Sequence, residues 1–280
     1  MQNVQTVSGL RSHVQSWRVQ GQSIVLVPTM GNLHRGHLTL IERARRLGDR
    51  VIVSIFVNPT QFGPNEDFAA YPRTLERDAE LLRDAGCDLL FHPSLDEVYP
   101  LGTQNLVQVQ VPELGEILCG AFRPGHFSGV ATVVTKLLNM VQPDVALFGR
   151  KDYQQLLVIR RVVMDLYLPV RIEAADTVRE ESGLAMSSRN QYLNVSELAQ
   201  AAELQRTLRW MRERVHLGDV LGEVEQGALT RLENAGFRID YVVIRAAEDL
   251  SQPTTERRQG LIGLVAARLG HARLIDNLLI

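Results

Sequence analysis

The sequence predicts an α/β protein in which a parallel sheet carries helices on both faces and a smaller α+β unit follows at the C-terminus. Short β-branched runs alternate with longer helical patterns as far as about residue 166. The run 51–57 is almost continuously apolar, which is typical of a strand covered on both faces. Strands that alternate with helices of about 10–15 residues favour right-handed βαβ units, and therefore a parallel sheet.

Each element of this first part is predicted from a local pattern. β-branched runs indicate strands, and apolar residues three or four positions apart indicate helices, as for Leu75, Ala79 and Leu82. Gly48 and Gly86 are expected to end helices. In chain order the predicted elements are strand 24–27 (ended by Pro28), helix 37–47, strand 51–57, helix 74–85, strand 88–91, the alternating strand 107–111, helix 130–140, strand 145–148 and helix 153–166.

The pattern changes after about residue 176. We expect two domains there, residues 1–177 with the parallel sheet and residues 178–280 as the smaller α+β unit. The predicted elements of the second part are a turn at 181–183, a long helix at 196–215, strands at 239–244 and 261–265, and an apolar C-terminal tail.

Composition and charge exclude several classes of function. The 280 residues include 30 Lys and Arg against 32 Asp and Glu, a formal net charge of −2. That balance supplies no basic field for nucleic acid or a membrane surface, and no 18-residue stretch is apolar enough to span a membrane. Cys87 and Cys119 fit free thiols in a reducing compartment, and residues 1–4 do not begin a secretory signal. We therefore expect a cytoplasmic protein that binds neither nucleic acid nor membranes.

The stretch 28–37 is the first candidate site, because it follows the first strand and opens a helix. Gly31 and Gly36 allow a sharp turn close to a ligand, and a helix N-terminus favours phosphate. His34 and His37 could donate hydrogen bonds to phosphate oxygens there and stabilise charge that develops in a transition state. Two alternatives stay open at this point, namely solvated loop histidines and metal ligands.

Three further segments carry polar groups at strand ends or in loops. Lys151, after the strand at 145–148, is a mobile charge suited to a triphosphate, and Asp152 could cap a helix or accept from a ribose hydroxyl. The loop 186–190 offers two hydroxyls and an arginine for phosphate oxygens. Gln61 could bind a hydroxyl or a carboxylate through its amide. The plain alternatives are a capped helix at 151–155 and an ordinary linker turn at 186–190.

Common nucleotide and hydrolase signatures do not occur in the sequence. Neither Gly-x-Gly-x-x-Gly nor Gly-x-x-x-x-Gly-Lys-Ser/Thr is present, and there is no Gly-x-Ser-x-Gly. The standard dinucleotide, P-loop and serine-hydrolase interpretations therefore lose support.

His34-x-Gly-His37 after a strand resembles the HIGH signature of the nucleotidyltransferase superfamily, and the loop 186–189 occupies the place of its mobile second signature. More specifically, the chain resembles the pantoate–β-alanine ligase family from about residue 24 to 194. The matching stretches are 27–31, 53–59, 61–67, 71–74, 123–127, 141–144, 151–156 and 186–190.

The resemblance implies a Rossmann-like N-terminal domain, a hinged C-terminal lid domain and a homodimer. It also implies an AMP-forming, C–N bond-forming ligase of pantothenate and coenzyme A biosynthesis. Such an enzyme joins (R)-pantoate to β-alanine with ATP and Mg²⁺, through a pantoyl adenylate, and releases AMP and pyrophosphate. Only small-molecule substrates are implied.

The resemblance also implies a set of site residues. His37 matches the catalytic acid, with His34 and Lys151 as further donors to the phosphates. Gln61 and Gln155 match the residues that hold pantoate, and Gln61 also lies near β-alanine; no Mg²⁺ ligand is implied. The residues matching ATP contacts are Met30, Gly31, Asn32, Leu33, His34, Arg35, Gly36, His37, Gly149, Arg150, Lys151, Asp152, Val178, Met186, Ser187, Ser188 and Arg189.

Arg35, Ser128 and Arg150 depart from the residues expected in relatives, namely an acid, an arginine, and Glu or Gln. Two other functions compete with the ligase. One is a nucleotidyltransferase that leaves the nucleotidyl group on its product. The other is an ATP sensor, which the combination of His34, His37, Lys151 and Arg189 disfavours because a sensor needs no transition-state donors.

Overall fold

The computed structural model describes residues 1–64, 66–254 and 256–280. The matching stretch 61–67 includes Asn65, which lies outside the described residues. The chain divides into two compact units, residues 1–150 with 158–176, and residues 151–157 with 177–280. The assignment of residues 178–280 as a lid domain stays a prediction.

The first unit is built on a six-stranded sheet with the order β1-β4-β3-β2-β5-β6, and all five strand pairs are parallel. This confirms the predicted α/β class. The strands are β1 (Gln2–Val4), β2 (Ile24–Thr29), β3 (Arg50–Ile55), β4 (Leu89–Phe91), β5 (Val145–Gly149) and β6 (Arg171–Ala175).

The strand order creates a crevice at the carboxyl ends of two central strands. From β2 the chain runs outward through β3 to β4, and it returns to β5 on the opposite side of β2. In open α/β sheets ligands bind at such a reversal of strand order. The residues that follow β2 and β5 are therefore in the position that a nucleotide site requires.

Helices of unequal length connect the strands. The long ones supply the βαβ connections, and the short ones lie in the connecting segments. In chain order they are α1 (Val7–Val19), α2 (Arg35–Ala44), α3 (Leu75–Asp84), α4 (Leu95–Val98), α5 (Cys119–Phe122), α6 (His126–Val141) and α7 (Tyr153–Asp165).

The apolar residues of the central strands explain why this sheet forms. Val25 and Val53 belong to a core that includes Ile41 of α2 and Leu82 of α3. Leu26 alternates with Val25 along β2 and is also completely buried. Because successive side chains of a strand point to opposite faces, both faces of the sheet are covered.

The described residues 177–254 and 256–280 of the second unit form a three-stranded antiparallel sheet and three α-helices. The strands pair in the order β7-β8-β9, and the helices contribute Leu208, Met211 and Leu232 to the core beneath them. Its elements are α8 (Val195–Ala201), α9 (Glu203–His216), α10 (Leu221–Asn234), β7 (Arg238–Ala246), β8 (Leu261–Leu269) and β9 (Ala272–Leu279).

Three sequence predictions are corrected. Residues 107–111 are irregular and not a strand; Val107 is exposed, so the alternation of Val and Gln there does not match an alternation of burial. Pro28 lies inside β2 instead of ending it, because β2 has β5 partners at Val25 and Leu26 only, and the missing N–H lies beyond that ladder. The helix expected at 196–215 is divided at Ala202 into α8 and α9.

Sequence analysis missed β1, α1, α4, α5, β6 and α10, and it described β9 only as an apolar tail. Among the described residues, no helix is long and apolar enough to cross a membrane.

Candidate active site

The turn that follows β2 is held in an unusual backbone conformation. Gly31 and Asn32 have positive φ angles of 79° and 50°. The Gly31 N–H donates to Thr29 Oγ1 at 3.2 Å, and the N–H groups of Asn32 and Leu33 donate to the two carboxylate oxygens of Asp78, each at 2.8 Å. The turn therefore presents the start of α2 in a fixed direction.

His34 and His37 cap the start of α2 reciprocally. His34 is the N-cap, and its Nδ1 accepts from the Gly36 N–H at 3.1 Å, while His37 Nδ1 accepts from the His34 N–H at 3.3 Å. A ring nitrogen that accepts carries no proton, so each neutral ring has its N–H at Nε2. The two rings lie 4.1 Å apart, centroid to centroid. Two imidazole donors thus stand at a helix N-terminus, where anions are favoured.

A buried polar cluster, formed by Asn58 and Tyr99, positions the side chain of Gln61. It ends the 3₁₀ turn Pro59–Gln61, and its side chain is oriented by Asn58, whose Nδ2 donates to Gln61 Oε1 at 3.1 Å. Tyr99 fixes Asn58 in turn, because its hydroxyl donates to Asn58 Oδ1 at 2.8 Å. Burial raises the pKa of Tyr99, which keeps that hydroxyl protonated. The remaining amide group, Nε2, contacts the sulfur of Met30 at 3.2 Å and is a hydrogen-bond donor.

The backbone of Gln61 is held by the start of α6. His126 Nδ1 lies 2.8 Å from the Gln61 carbonyl oxygen, and Nε2 lies 2.9 Å from Nη1 of Arg123. Since a guanidinium can only donate, Nε2 accepts and Nδ1 carries the proton toward Gln61. Glu66 binds Arg123 with both oxygens, at 2.7 and 2.5 Å. His126 is therefore a buried support for the backbone of Gln61.

Gly149 is the last residue of β5 and Arg150 follows it, on the other side of the crevice from the turn after β2. The Arg150 N–H donates to the Ala175 carbonyl at 2.8 Å, and its guanidinium pairs with Asp176 at 2.6 Å. The extra positive charge at position 150 is therefore matched by a carboxylate within the same unit.

Lys151 and Asp152 belong to the second unit, in the short segment 151–157. Lys151 Nζ lies 3.8 Å from Asp152 Oδ1, and the lysine side chain is 19% exposed. Asn277 of β9 donates from Nδ2 to the Lys151 carbonyl at 2.8 Å. Strand β9 thus fixes the backbone from which Lys151 projects, and Gln155 follows one turn later on α7, half-buried.

Val178 and Met186 lie next to each other in the structure. The Met186 N–H donates to the Val178 carbonyl at 2.9 Å, beside a bridge between Arg179 and Ala185. Arg179 binds both oxygens of the buried Asp276, at 2.6 and 3.0 Å, and so ties this segment to β9.

Ser187 caps the 3₁₀ helix Ser188–Tyr192 by accepting from the Arg189 N–H at 3.3 Å. Ser187, Ser188 and Arg189 therefore stand at a capped turn rather than on an extended linker. The side chains of this turn are half-buried, and their two hydroxyls and one guanidinium are of types that suit phosphate oxygens.

Among residues 1–64, 66–254 and 256–280, no group of three or more His, Cys, Asp and Glu side chains could hold a metal ion. Mg²⁺ rarely uses a cage of that kind, since it is commonly bound by one or two carboxylates, waters and the phosphates of a substrate. The donor set of the chain is compatible with Mg²⁺ bound mainly by a nucleotide.

Sequence reasoning missed the supporting residues Asp78, Asn58 and His126. Asp78 did leave a signal, because it lies three residues after Leu75 and four before Leu82, on the apolar side of α3. A carboxylate on a buried helix face needs partners. His126 and Asn58 left no such signal, since their partners are fixed only by the fold.

The parallel sheet, the crevice at its reversal and the two histidines at the start of α2 define a nucleotide-binding α/β protein of the HIGH-signature class. Comparison with known proteins gives the family. The model of the family described as pantoate-beta-alanine ligase matches residues 2–279. The chain therefore belongs to the pantoate–β-alanine ligase family.

Individual relatives match over nearly their whole length. A pantothenate synthetase of Xylella fastidiosa is 56% identical over 280 residues, with 99% of each chain covered. A crystal structure of pantothenate synthetase from Thermus thermophilus is 49% identical with a TM-score of 0.93, and 99% of each chain is covered. The structure of a Francisella tularensis pantoate-beta-alanine ligase, complexed with beta-gamma ATP and beta-alanine, is 36% identical with a TM-score of 0.81, covering 100% of this chain and 97% of that one.

Proposed function

We propose that this protein condenses (R)-pantoate with β-alanine at the expense of ATP, giving pantothenate, AMP and pyrophosphate. The observation that carries the proposal is the family match over residues 2–279, joined by a 36% identical relative described in complex with an ATP and β-alanine. The site residues fit this reaction, because the histidine pair offers donors where negative charge would build up.

In the first step the pantoate carboxylate attacks the α-phosphorus of ATP. A P–O bond forms to pantoate, the bond to the β-phosphate oxygen breaks, and pyrophosphate leaves with the electron pair. Negative charge grows on the phosphate oxygens, and the Nε2–H groups of His34 and His37 stabilise it. Lys151 adds a positive charge, and Ser187, Ser188 and Arg189 bind phosphate oxygens.

Further nucleotide contacts come from the segments that border these donors. To these we assign residues 30–37 and 149–152, at the ends of β2 and β5, together with Val178 and Met186. Arg150 lies 2.6 Å from Asp176 and Lys151 lies 3.8 Å from Asp152, so each positive charge of this segment has a carboxylate nearby, and we assign the charge on the triphosphate to Lys151.

In the second step the neutral amine of β-alanine attacks the acyl carbon of pantoyl adenylate. A C–N bond forms, the bond from the acyl carbon to the AMP oxygen breaks, the nitrogen gives up one proton, and AMP leaves with the electron pair. Gln61 and Gln155 hold pantoate during both steps. Because Asn58 occupies Oε1 of Gln61, the Nε2–H group is the side that donates to a pantoate oxygen, and β-alanine is bound beside it.

We further propose that Mg²⁺ enters with ATP, bound chiefly by phosphates and water, where it neutralises phosphate charge. A homodimer in the cytoplasm follows from the family resemblance. Cys87 and Cys119 are buried, and within the described part of the chain neither forms a disulfide, which is compatible with a reducing compartment.

Isotope exchange between pyrophosphate and ATP tests the proposal. Labelled pyrophosphate should enter ATP only when (R)-pantoate is present, and β-alanine should be unnecessary, because the first step is complete without it. A panel of small hydroxy acids serves as the control. If exchange is equally fast without pantoate, pantoate is excluded as the substrate. If the nucleotidyl product persists after β-alanine is added, the nucleotidyltransferase is favoured.

A further inference from the structure

Asp78 is a buried acidic residue without a role in the chemistry described above. It lies on α3, one turn before Leu82, and only 1% of its surface is exposed. Within the described part of the chain, two backbone N–H groups and a hydroxyl, rather than a basic side chain, satisfy its carboxylate. A buried carboxylate costs free energy unless such partners compensate it.

The backbone partners of Asp78 lie 45 and 46 residues earlier in the chain. Oδ2 accepts from the Asn32 N–H and Oδ1 from the Leu33 N–H, each at 2.8 Å. Thr74 adds a third bond, from its hydroxyl to Oδ2 at 3.2 Å. Two consecutive backbone N–H groups thus donate to the two oxygens of one carboxylate.

These bonds hold Asn32 and Leu33, the residues that set the direction of α2. Asn32 has a positive φ, which is unfavourable for a residue with a Cβ, and the bond from its N–H to Asp78 holds it in that conformation. Leu33 is anchored at the same point by its side chain, which is 3% exposed in the core. His34, the N-cap of α2, is the next residue, so the geometry of the turn fixes where both imidazoles stand.

We propose that Asp78 is a positioning residue for the adenylation step, which holds His34 and His37 against the triphosphate without touching it. The inference rests on the proposed function. Carboxylates that accept backbone N–H groups are strong acceptors, and small displacements of reacting groups have large kinetic effects: a shift of about 1 Å can cost on the order of 10²-fold in rate.

Asp78→Asn tests this role. The amide keeps the size of the side chain but replaces one acceptor oxygen with an NH₂ group, which then faces a backbone donor. We expect the maximal rate of pantoate-dependent pyrophosphate exchange to fall about 10- to 100-fold. The KM for β-alanine in the complete reaction should stay within about twofold of its original value, because the turn positions phosphate donors only.

The matched control is Glu80→Gln, the same acid-to-amide change on an exposed position of α3. Its exchange rate should equal that of the unmodified protein. Thr74→Val is a milder second variant, because it removes one hydroxyl donor and leaves both oxygens on the turn. It should slow exchange about two- to tenfold, the value of one hydrogen bond, and it keeps the inference testable if Asp78→Asn does not fold.

Three outcomes would contradict the inference. If the unmodified protein exchanges normally and both Asp78→Asn and Thr74→Val match Glu80→Gln, Asp78 does not position the histidines. If Asp78→Asn lowers the melting temperature and changes the exchange rate and the KM for β-alanine in proportion, its role is stability alone. If the unmodified protein shows no pantoate-dependent exchange, the proposed function itself fails and the inference fails with it.

Discussion

At the scale of single residues, the histidine pair owes its chemistry to the backbone around it. A free imidazole can carry its proton on either nitrogen, but the N–H groups of His34 and Gly36 occupy both Nδ1 atoms. The reciprocal cap therefore selects one tautomer and aims one N–H from each ring. Both rings thus have their N–H groups at Nε2 beside a helix N-terminus.

Replacement of His37 by Ala should separate nucleotide binding from catalysis. We expect the Kd for ATP to stay within a few-fold and the rate of adenylation to fall about 10²- to 10³-fold, the usual cost of losing one charge-stabilising donor. Titration calorimetry and pyrophosphate exchange measure the two quantities. His216→Ala, at an exposed position of α9, is the control.

Loss of the His37 cap also costs about 1 kcal/mol of stability, so melting curves of the variant and its control should be compared. Near-normal turnover of a folded His37→Ala protein would remove His37 from the mechanism.

The residues proposed to carry the chemistry could be selected from sequence, whereas the residues that hold them in place could not. His34, His37 and Lys151 follow strands or open helices, and their types suit phosphates whatever surrounds them. Asn58, by contrast, binds Gln61, Tyr99 and the Gly129 carbonyl, and the last of these lies 71 residues away. No local pattern reports a partner at such a distance.

At the scale of elements, prediction succeeded where burial alone determined the pattern. Strand β3 has both faces covered, and its apolar run identified it. The prediction of a strand at 107–111 was wrong, because the alternation of Val and Gln reports only residue type. A strand also needs a neighbouring strand to pair with. Strand β1 has three residues, too few to form a pattern, and is defined by its pairing with β4.

The contact between α6 and the turn that carries Gln61 depends on a glycine. A Cβ at Gly129 would lie 2.2 Å from the Thr60 carbonyl oxygen and 2.7 Å from the Gln61 nitrogen. Gly129→Ala must therefore push α6 away from this turn, even though Ala is the better helix former. We expect a loss of about 1–3 kcal/mol in stability and a rise of about tenfold in the KM for pantoate, the equivalent of one hydrogen bond.

Gly222→Ala on α10 is the matched control, because its added Cβ meets nothing within 4 Å. That change should be neutral or stabilising by up to about 1 kcal/mol. Melting temperatures and steady-state kinetics of the two variants provide the comparison. Equal melting temperatures and equal KM values for pantoate in the two variants would show that α6 and the turn can move apart without loss of stability or pantoate binding.

At the scale of the whole molecule, each unit has its own core, and the composition that predicted an ordinary globular chain is consistent with both. The boundary near residue 177 was expected from a change in pattern. The placement of residues 151–157 with the second unit was not expected. Helix α7 continues through residue 157, so the sequence has no break there that could mark a boundary.

The core of the first unit also contains a thiol that links its stability to alkaline pH. Burial raises the pKa of Cys87 from 9.0 to about 12. Between these values the unfolded chain loses the thiol proton and the folded chain keeps it. The free energy of unfolding should therefore fall as pH rises from 9 toward 12, by up to about 1.4 kcal/mol per pH unit from this group, and should not depend on it below pH 8.

Cys87→Ala removes this contribution, and Cys119→Ala retains it because Cys87 stays intact. Urea unfolding at pH 8 and pH 10 measures the difference. Trp17 fluorescence reports the first unit when Trp210, in the second unit, is replaced by Phe. Between the two pH values the protein with Cys87 should lose about 1 kcal/mol more than Cys87→Ala, since one proton is released for part of that interval. Equal losses in all three proteins would mean that the Cys87 thiol ionises as readily in the folded chain as in the unfolded one.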